Sequence, residues 1–164
     1  MTTDWSTWQP RERANLCFIV SGDEVLLIHK KRGLGAGKIN GPGGRLEPGE
    51  TACDSAIREV REELGVTPHD PQLGGQLHFQ FADGYALHCA VFLAEGYTGQ
   101  PVETDEAVPL WVKQDAIPFD RMWADDIYWL PGLLAGRKFR GYFEFDSDRM
   151  LAHRLEWLAA DEDL

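Results

Sequence analysis

Glu59, Glu62 and Glu63 are the residues of this 164-residue chain whose type and spacing point most directly to chemistry. On a helix, at a hundred degrees per residue, they fall at i, i+3 and i+4 and share one face. Ala56, Ile57, Val60 and Leu64 take the adjoining arc, which puts the carboxylates at the edge of a buried stripe. Carboxylates ~5 Å apart repel by roughly 3 kcal/mol at an effective dielectric near 20, so the cluster asks for a cation between them. Oxygen ligands without histidine or thiolate suit a hard divalent ion, Mg2+ or Mn2+. The plainer alternative is a charged helix face that Arg58 and Arg61 neutralise. Cations able to hold a phosphate precede the helix: Lys30-Lys31-Arg32, then Lys38 and Arg45.

The elements that must position these groups follow from pattern. Leu16–Val20 and Val25–His29 are apolar runs of strand length around the turn residues Ser21-Gly22-Asp23-Glu24. The stretch from Gly33 to Gly49 is too rich in glycine for regular structure. Thr51, with Asp54 three positions on, predicts the cap of a helix over Ala52–Leu64 that stops at Gly65. Leu77–Phe81 and Tyr85–Leu93 predict a hairpin around Asp83-Gly84. Val108–Val112 and Phe139–Phe145 read as strands. Asp126–Ala135 reads as a helix in which Pro131 must sit in the first turn or cause a kink. Leu151–Leu158 fits either period. Strands with two helices of different size predict a mixed α/β layered domain.

Composition sets the limits. The chain has the length of one domain, residues 1–164, with 1–11 as a polar N-terminal arm carrying Trp5 and Trp8. A net charge of −11 argues against binding duplex nucleic acid, and any phosphorylated substrate must be held by local cations or bound metal. No apolar run approaches a bilayer span, and the N-terminus shows no secretory signal, so neither membrane nor export is expected. Cys17, Cys53 and Cys89 have neither disulfide nor metal-ligand spacing, which suits reduced thiols in the cytoplasm.

Residues 44–66 also carry a fixed pattern. Gly44 is followed after five residues by Glu50, and after seven more by Arg58-Glu59-Val60-Arg61-Glu62-Glu63-Leu64-Gly65-Val66. This is similar, without a gap, to the Nudix signature G-x5-E-x7-R-E-U-x-E-E-x-G-U, where U is a bulky aliphatic residue. The resemblance implies an α/β/α sandwich with a mixed sheet and a loop–helix–loop catalytic motif. It implies a metal site of Gly43, Glu59, Glu62, Glu63 and Glu106, with Arg58 and Glu50 as braces. Glu63 is the first candidate for catalytic base, with Glu59 and Glu62 completing the catalytic set; Glu59 and Glu106 are alternatives as base.

Outside the signature the chain resembles the MutT-like oxidised purine nucleoside triphosphatases, the 8-oxo-dGTP diphosphatases. Lys30-Lys31-Arg32-Gly33, Asn40-Gly41, Pro101-Val102-Glu103, Asp105-Glu106, Ile117-Pro118-Phe119, Met122-Trp123, Asp125-Asp126 and Gly141-Tyr142-Phe143 carry the likeness. It implies a monomer that cleaves a nucleoside triphosphate to monophosphate and pyrophosphate. Substrate would be bound by Lys30, Asn40, Gly43, Gly44, Trp123, Asp125 and Asp126. Leu34, Ile39 and Pro42 stand where the subfamily carries aromatics, and Asn15 where the animal enzyme has a substrate-touching threonine; these departures bear on base preference. A different nucleotide substrate, or a catalytically silent nucleotide-binding module, are the competing readings.

Overall fold

Alternation of apolar residues along β-strands is what divides this molecule into layers, and β1, Glu12–Ser21, shows it best. In the computed structural model, which describes residues 1–164, Cys17 and Ile19 point to one side of the sheet and Phe18 to the other. The chain continues through β2 (Glu24–Lys30), β3 (Ile39–Asn40), β4 (Gly43–Arg45), α1 (Ala52–Leu64), β5 (Thr67–His69) and β6 (Gln72–Phe81). There follow β7 (Ala86–Ala94), β8 (Gly96–Thr98), β9 (Ala107–Lys113), a 3-10 turn (Phe119–Arg121), α2 (Asp126–Leu134), β10 (Phe139–Asp146) and β11 (Arg149–Trp157).

The main sheet runs β11-β10-β6-β7-β1-β2-β3, with β4 added to β1 and β9 to β2. The β1–β7 and β6–β10 pairs are parallel and the rest antiparallel, so the sheet is mixed. Each face carries its own core. Ala56, Val60 and Leu64 of α1 pack on Cys17, Ile19, Leu26 and Ile28. Trp129, Leu130 and Leu133 of α2 pack on Phe18, Leu77, Phe139 and Phe143. Each such buried aliphatic contributes about 1.5–3 kcal/mol. The expected α/β/α sandwich is therefore present, and β5 with β8 forms a separate two-stranded ribbon.

Helix α1 forms where its caps dictate. Thr51 accepts a hydrogen bond from the Asp54 amide at 3.1 Å, and Gly65 closes the helix in the left-handed conformation, φ 72°. Other bounds shift. The first hairpin strands extend to Glu12 and Lys30, and β6 starts at Gln72, because backbone pairing continues past the apolar runs. The glycine-dense stretch is not irregular throughout: Gly43–Arg45 pairs with β1 and Ile39–Asn40 with β2. Pro131 lies in the second turn of α2; the carbonyl it leaves without an amide belongs to Ile127, an exposed residue. Of Leu151–Leu158, all but Leu158 belongs to strand β11, joined to β10 across a bulge at Leu151. No helix is long and apolar enough to cross a membrane.

Residues 1–8 are not a free arm. They lie on the same side of the sheet as α1, across the part of β6 and β10 that the helix leaves open. Glu144 accepts hydrogen bonds from the amides and hydroxyls of Thr2 and Thr3, Trp5 packs on Tyr142, and Trp8 meets the edge of His78.

Candidate active site

The β4–α1 loop and the first turns of α1 are tied together by one guanidinium. Arg58 Nε and Nη2 grip Glu50 at 2.7 and 2.8 Å, and Nη2 also reaches the Arg45 carbonyl. Glu50 Oε1 in turn accepts from the Glu47 amide. The Arg58 contact holds the Glu50 carboxyl down at about 2. Both residues thus brace the loop, as the signature implied. Arg58 Nη1 is shared between Glu59 at 2.9 Å and Glu62 at 3.1 Å. The plainer reading of the glutamate cluster, neutralisation by a neighbouring arginine, therefore describes part of what is seen.

Glu63 is different. It is 3% exposed and meets no arginine; its Oε1 accepts from the Gly43 amide at 2.8 Å. Burial pushes its pKa up to about 8, against the pull of that amide and of Lys30, while Glu59 and Glu106 raise it further. Burial also raises Glu59 and lowers Lys30, and Glu59, Glu63 and Glu106 each act on that lysine. Two glycines allow this approach. A Cβ on Gly43 would lie 2.0 Å from the Asn15 carbonyl oxygen, and one on Gly44 would lie 2.4 Å from Cδ of Glu59. Glu106 pairs with Arg32 at 3.3 Å, and Glu62 is half-exposed.

As placed, no three of these carboxylates converge tightly enough to hold an ion. The donor set nevertheless fits one. Every ligand is oxygen, and burial raises two of the carboxylates, Glu59 and Glu63, in spite of the cations beside them. Arg58 can yield Glu59 and Glu62 by freeing Nη1 alone, because Nε and Nη2 keep it anchored on Glu50.

Beyond Gly43 and Gly44 opens a cavity of about 340 Å³. Lys30, Asn40, Gly43, Gly44, Trp123, Asp125 and Asp126 all line it, so the structure brings every expected substrate residue to one place. Trp123 stands edge-on to Phe81 and Phe145, and Lys38 Nζ lies 5.4 Å from its ring centroid. Asp125 is the N-cap residue of α2, yet its side chain caps nothing. Its Oδ2 accepts from the Trp129 indole at 2.8 Å, and its Oδ1 has no partner. Burial raises both acids, and Asp126 furthest, because the charge of the neighbouring Asp125 repels its own. One end of the cavity thus offers a protonated carboxyl beside an unfilled carboxylate oxygen. Of the cations singled out in sequence, Lys31, Arg32, Lys38 and Arg45 are each paired with an acid, and Lys30 alone is not.

The missing aromatics matter less than their number suggests. Ile39 is buried in the core and Pro42 does not line the cavity; only Leu34 does. Asn15 donates to Ser55 Oγ at 2.8 Å, while its own Oδ1 is buried and unpaired. Phe79, Phe81 and Tyr85 supply an aromatic wall that sequence reasoning missed. Phe79 and Phe81 stand two apart on β6 and so share a face, but which face bounds a cavity is decided by the whole fold.

A mixed sheet with helices on both faces, and a loop–helix motif that sets glutamates beside paired glycines, define a Nudix fold. The NUDIX domain model matches residues 10–133, and the chain belongs to the Nudix family, whose hydrolases need divalent metal ions and act on nucleotides. Within it, the chain is 43% identical over 143 residues to an oxidized purine nucleoside triphosphate hydrolase of Danio rerio, covering 86% of this chain and 92% of that one. The corresponding enzyme of Mus musculus is 41% identical over 85% of this chain and 91% of its own length. The crystal structure of a MutT protein from Bacillus halodurans superposes with a TM-score of 0.80 at 30% identity, covering 88% of this chain and 97% of that one.

Proposed function

We propose that this protein hydrolyses oxidised purine nucleoside triphosphates, of the 8-oxo-dGTP and 2-oxo-dATP type, to monophosphate and pyrophosphate, and so clears them from the nucleotide pool. The observation that carries the reading is one cavity lined both by a buried acid pair, Asp125 and Asp126, with Trp123, and by Gly43 and Gly44, which are backed by Glu63 and Glu59. The likeness to the two oxidized purine nucleoside triphosphate hydrolases supports the same substrate class.

At the base end, Trp123 offers a stacking face and Asn40 an amide that both donates and accepts. Protonated Asp126 donates to a purine oxygen while Asp125 Oδ1 accepts from a ring N–H, the pattern an oxidised purine edge presents. At the phosphate end, Lys30 supplies the one unpaired cation of the basic cluster. We assign Gly43, Glu59, Glu62, Glu63 and Glu106 to a divalent ion, Mg2+ with Mn2+ as substitute. Such an ion neutralises the phosphate chain and acidifies water. Glu63 is the base: its burial keeps it protonated until positive charge arrives beside it, which confines its basicity to the loaded site. Glu59 and Glu62 serve once Arg58 Nη1 has let them go.

We also read residues 1–164 as one domain, since both cores share one sheet. Three free cysteines support work in the reducing cytoplasm. The edge strand β11 carries Arg149, Arg154 and Glu156, charges that discourage edge pairing and support a monomer.

The deciding measurement is kcat/KM with Mg2+ for 8-oxo-dGTP, 2-oxo-dATP and unmodified dGTP, with products separated by chromatography. Preference for an oxidised purine, with monophosphate and pyrophosphate released, supports the proposal. Uniformly feeble turnover of all three would sink the base-pocket assignment. One observation favours a second reading: Arg58 holding Glu59 and Glu62 is compatible with a silent nucleotide-binding module. Tight binding without turnover in Mg2+ would select it.

A further inference from the structure

Two features take no part in the reaction just described: Tyr85 at the rim of the cavity, and residues 1–8 on the opposite face of the sheet. One hydrogen-bonded chain joins them. Trp8 Nε1 donates to Gln80 Oε1 at 2.9 Å. An indole nitrogen can only donate, so this contact fixes which way the Gln80 amide faces. Its Nε2 is thereby directed at two carbonyls, Phe81 at 3.1 Å and Tyr85 at 3.3 Å. Those carbonyls bracket the turn between β6 and β7, where Phe81 also donates its amide to the Tyr85 carbonyl and the Tyr85 amide donates to Asp83 Oδ1. Trp8 is itself wedged between Trp5 and His78, and Thr2 and Thr3 secure the segment on Glu144.

On the cavity side, the Tyr85 ring tilts against Phe81 with centroids 5.7 Å apart, and Phe81 meets Trp123 edge-on at 6.2 Å. The Tyr85 hydroxyl lies beside Glu12 and Arg45, and Arg45 adjoins Gly44 at the phosphate end. Tyr85 therefore spans the interval between the base end and the phosphate end. In a nucleotide, the group between base and phosphate is the pentose.

We propose that Tyr85 is a substrate-contacting residue whose ring packs on the sugar of the bound nucleotide, and that Gln80 and Trp8 are positioning residues that hold it from behind the sheet. The inference rests on the nucleotide reading above. It makes the N-terminal segment part of substrate recognition, although that segment never reaches the cavity.

The test compares KM, kcat and melting temperature for Tyr85→Ala, Tyr85→Phe, Gln80→Glu and Trp8→Phe, with 8-oxo-dGTP and Mg2+. Gln80→Glu keeps the acceptor for Trp8 and removes both donors to the turn. Tyr85→Ala should raise KM about tenfold with kcat within about twofold, and Tyr85→Phe, which keeps the ring, should stay within about threefold of the parent KM. Gln80→Glu and Trp8→Phe should each raise KM roughly three- to fivefold at unchanged kcat, a split that mere loss of stability would not produce. Unchanged KM in Tyr85→Ala overturns the contact. Unchanged KM in both Gln80→Glu and Trp8→Phe overturns the positioning chain. If the parent protein turns over no nucleotide, the functional reading fails separately. Calorimetric binding of 8-oxo-dGTP to parent and Tyr85→Ala then decides the contact: weaker binding to the variant supports it, and equal binding or none to either overturns it.

Discussion

The two ends of the cavity are built to different standards of readiness. The base end is finished: Asp125 and Asp126 are buried, Trp129 holds one of them, and Phe81 and Phe145 fix the plane of Trp123. The phosphate end is not: Glu59 and Glu62 lean on Arg58, Glu106 on Arg32, and Glu63 on a backbone amide. On the proposed reading, recognition is laid down when the chain folds, whereas the carboxylates proposed for catalysis must change partners. The cause is charge. A neutral pocket closes over its own aromatics, but clustered anions cannot approach one another until something cationic replaces the arginines.

The sharpest test of this contrast acts at the phosphate end. Glu63→Gln should lower kcat by about a thousandfold or more while nucleotide binding and fold persist. Near-normal turnover, measured in the same assay as the parent, would remove Glu63 from its role. At the base end the two acids should behave unequally. Asp126→Asn keeps a neutral donor and should cost less than about fivefold in kcat/KM for 8-oxo-dGTP, whereas Asp125→Asn leaves one acceptor oxygen to serve both the Trp129 indole and the ring N–H and should cost about 10- to 100-fold. Equal losses would mean that the proton is not lodged on Asp126.

A pH titration of stability compares both ends at once. Folded-state pKa values of Glu63, Asp125 and Asp126 all lie above those of unfolded carboxylates. At these three sites the native state binds more protons than the unfolded state, so their contribution to stability falls as pH rises from about 4 through the raised values, about 8 for Glu63; the half-buried imidazoles of His78 and His88, lowered from 6.5, act in the opposite sense only up to that pH. Thermal melts without divalent metal should show the melting temperature falling by several degrees between pH 5 and pH 9. Asp126→Asn and Glu63→Gln should each make that fall shallower; a flat parent profile would contradict the burial argument. The smallest expected effect lies outside both ends. Thr51→Ala should cost about 1 kcal/mol in denaturant unfolding and leave KM unchanged, since it removes one capping bond of α1.

How much was legible in sequence follows the same division between local and tertiary causes. Helix α1 was readable to its bounds because Thr51, Asp54 and Gly65 act on their own neighbours. That the residues proposed to bind substrate would lie together was legible through a resemblance, which carries spatial information that spacing lacks. Leu151–Leu158 was undecidable because the bulge at Leu151 breaks its alternation and β11 is half-exposed on both faces. Strands β5 and β8 are three residues each and leave no period to detect. Phe79, Phe81 and Tyr85 became pocket residues only when α2 and the β2–β3 loop closed over one face of the sheet. The hold of Arg58 on three glutamates could be guessed for Glu62 from i,i+4 spacing, but its grip on Glu50 depends on how the loop folds back.

The proton on Glu63 has a calorimetric consequence. At neutral pH the buried carboxyl is mostly protonated, and a divalent ion that claims it must expel that proton to the solvent. The heat of metal uptake will therefore include the heat of protonating whatever buffer is present. Titrations in phosphate and in Tris should give different apparent enthalpies for the same ion, and the slope against buffer ionisation enthalpy counts the protons released.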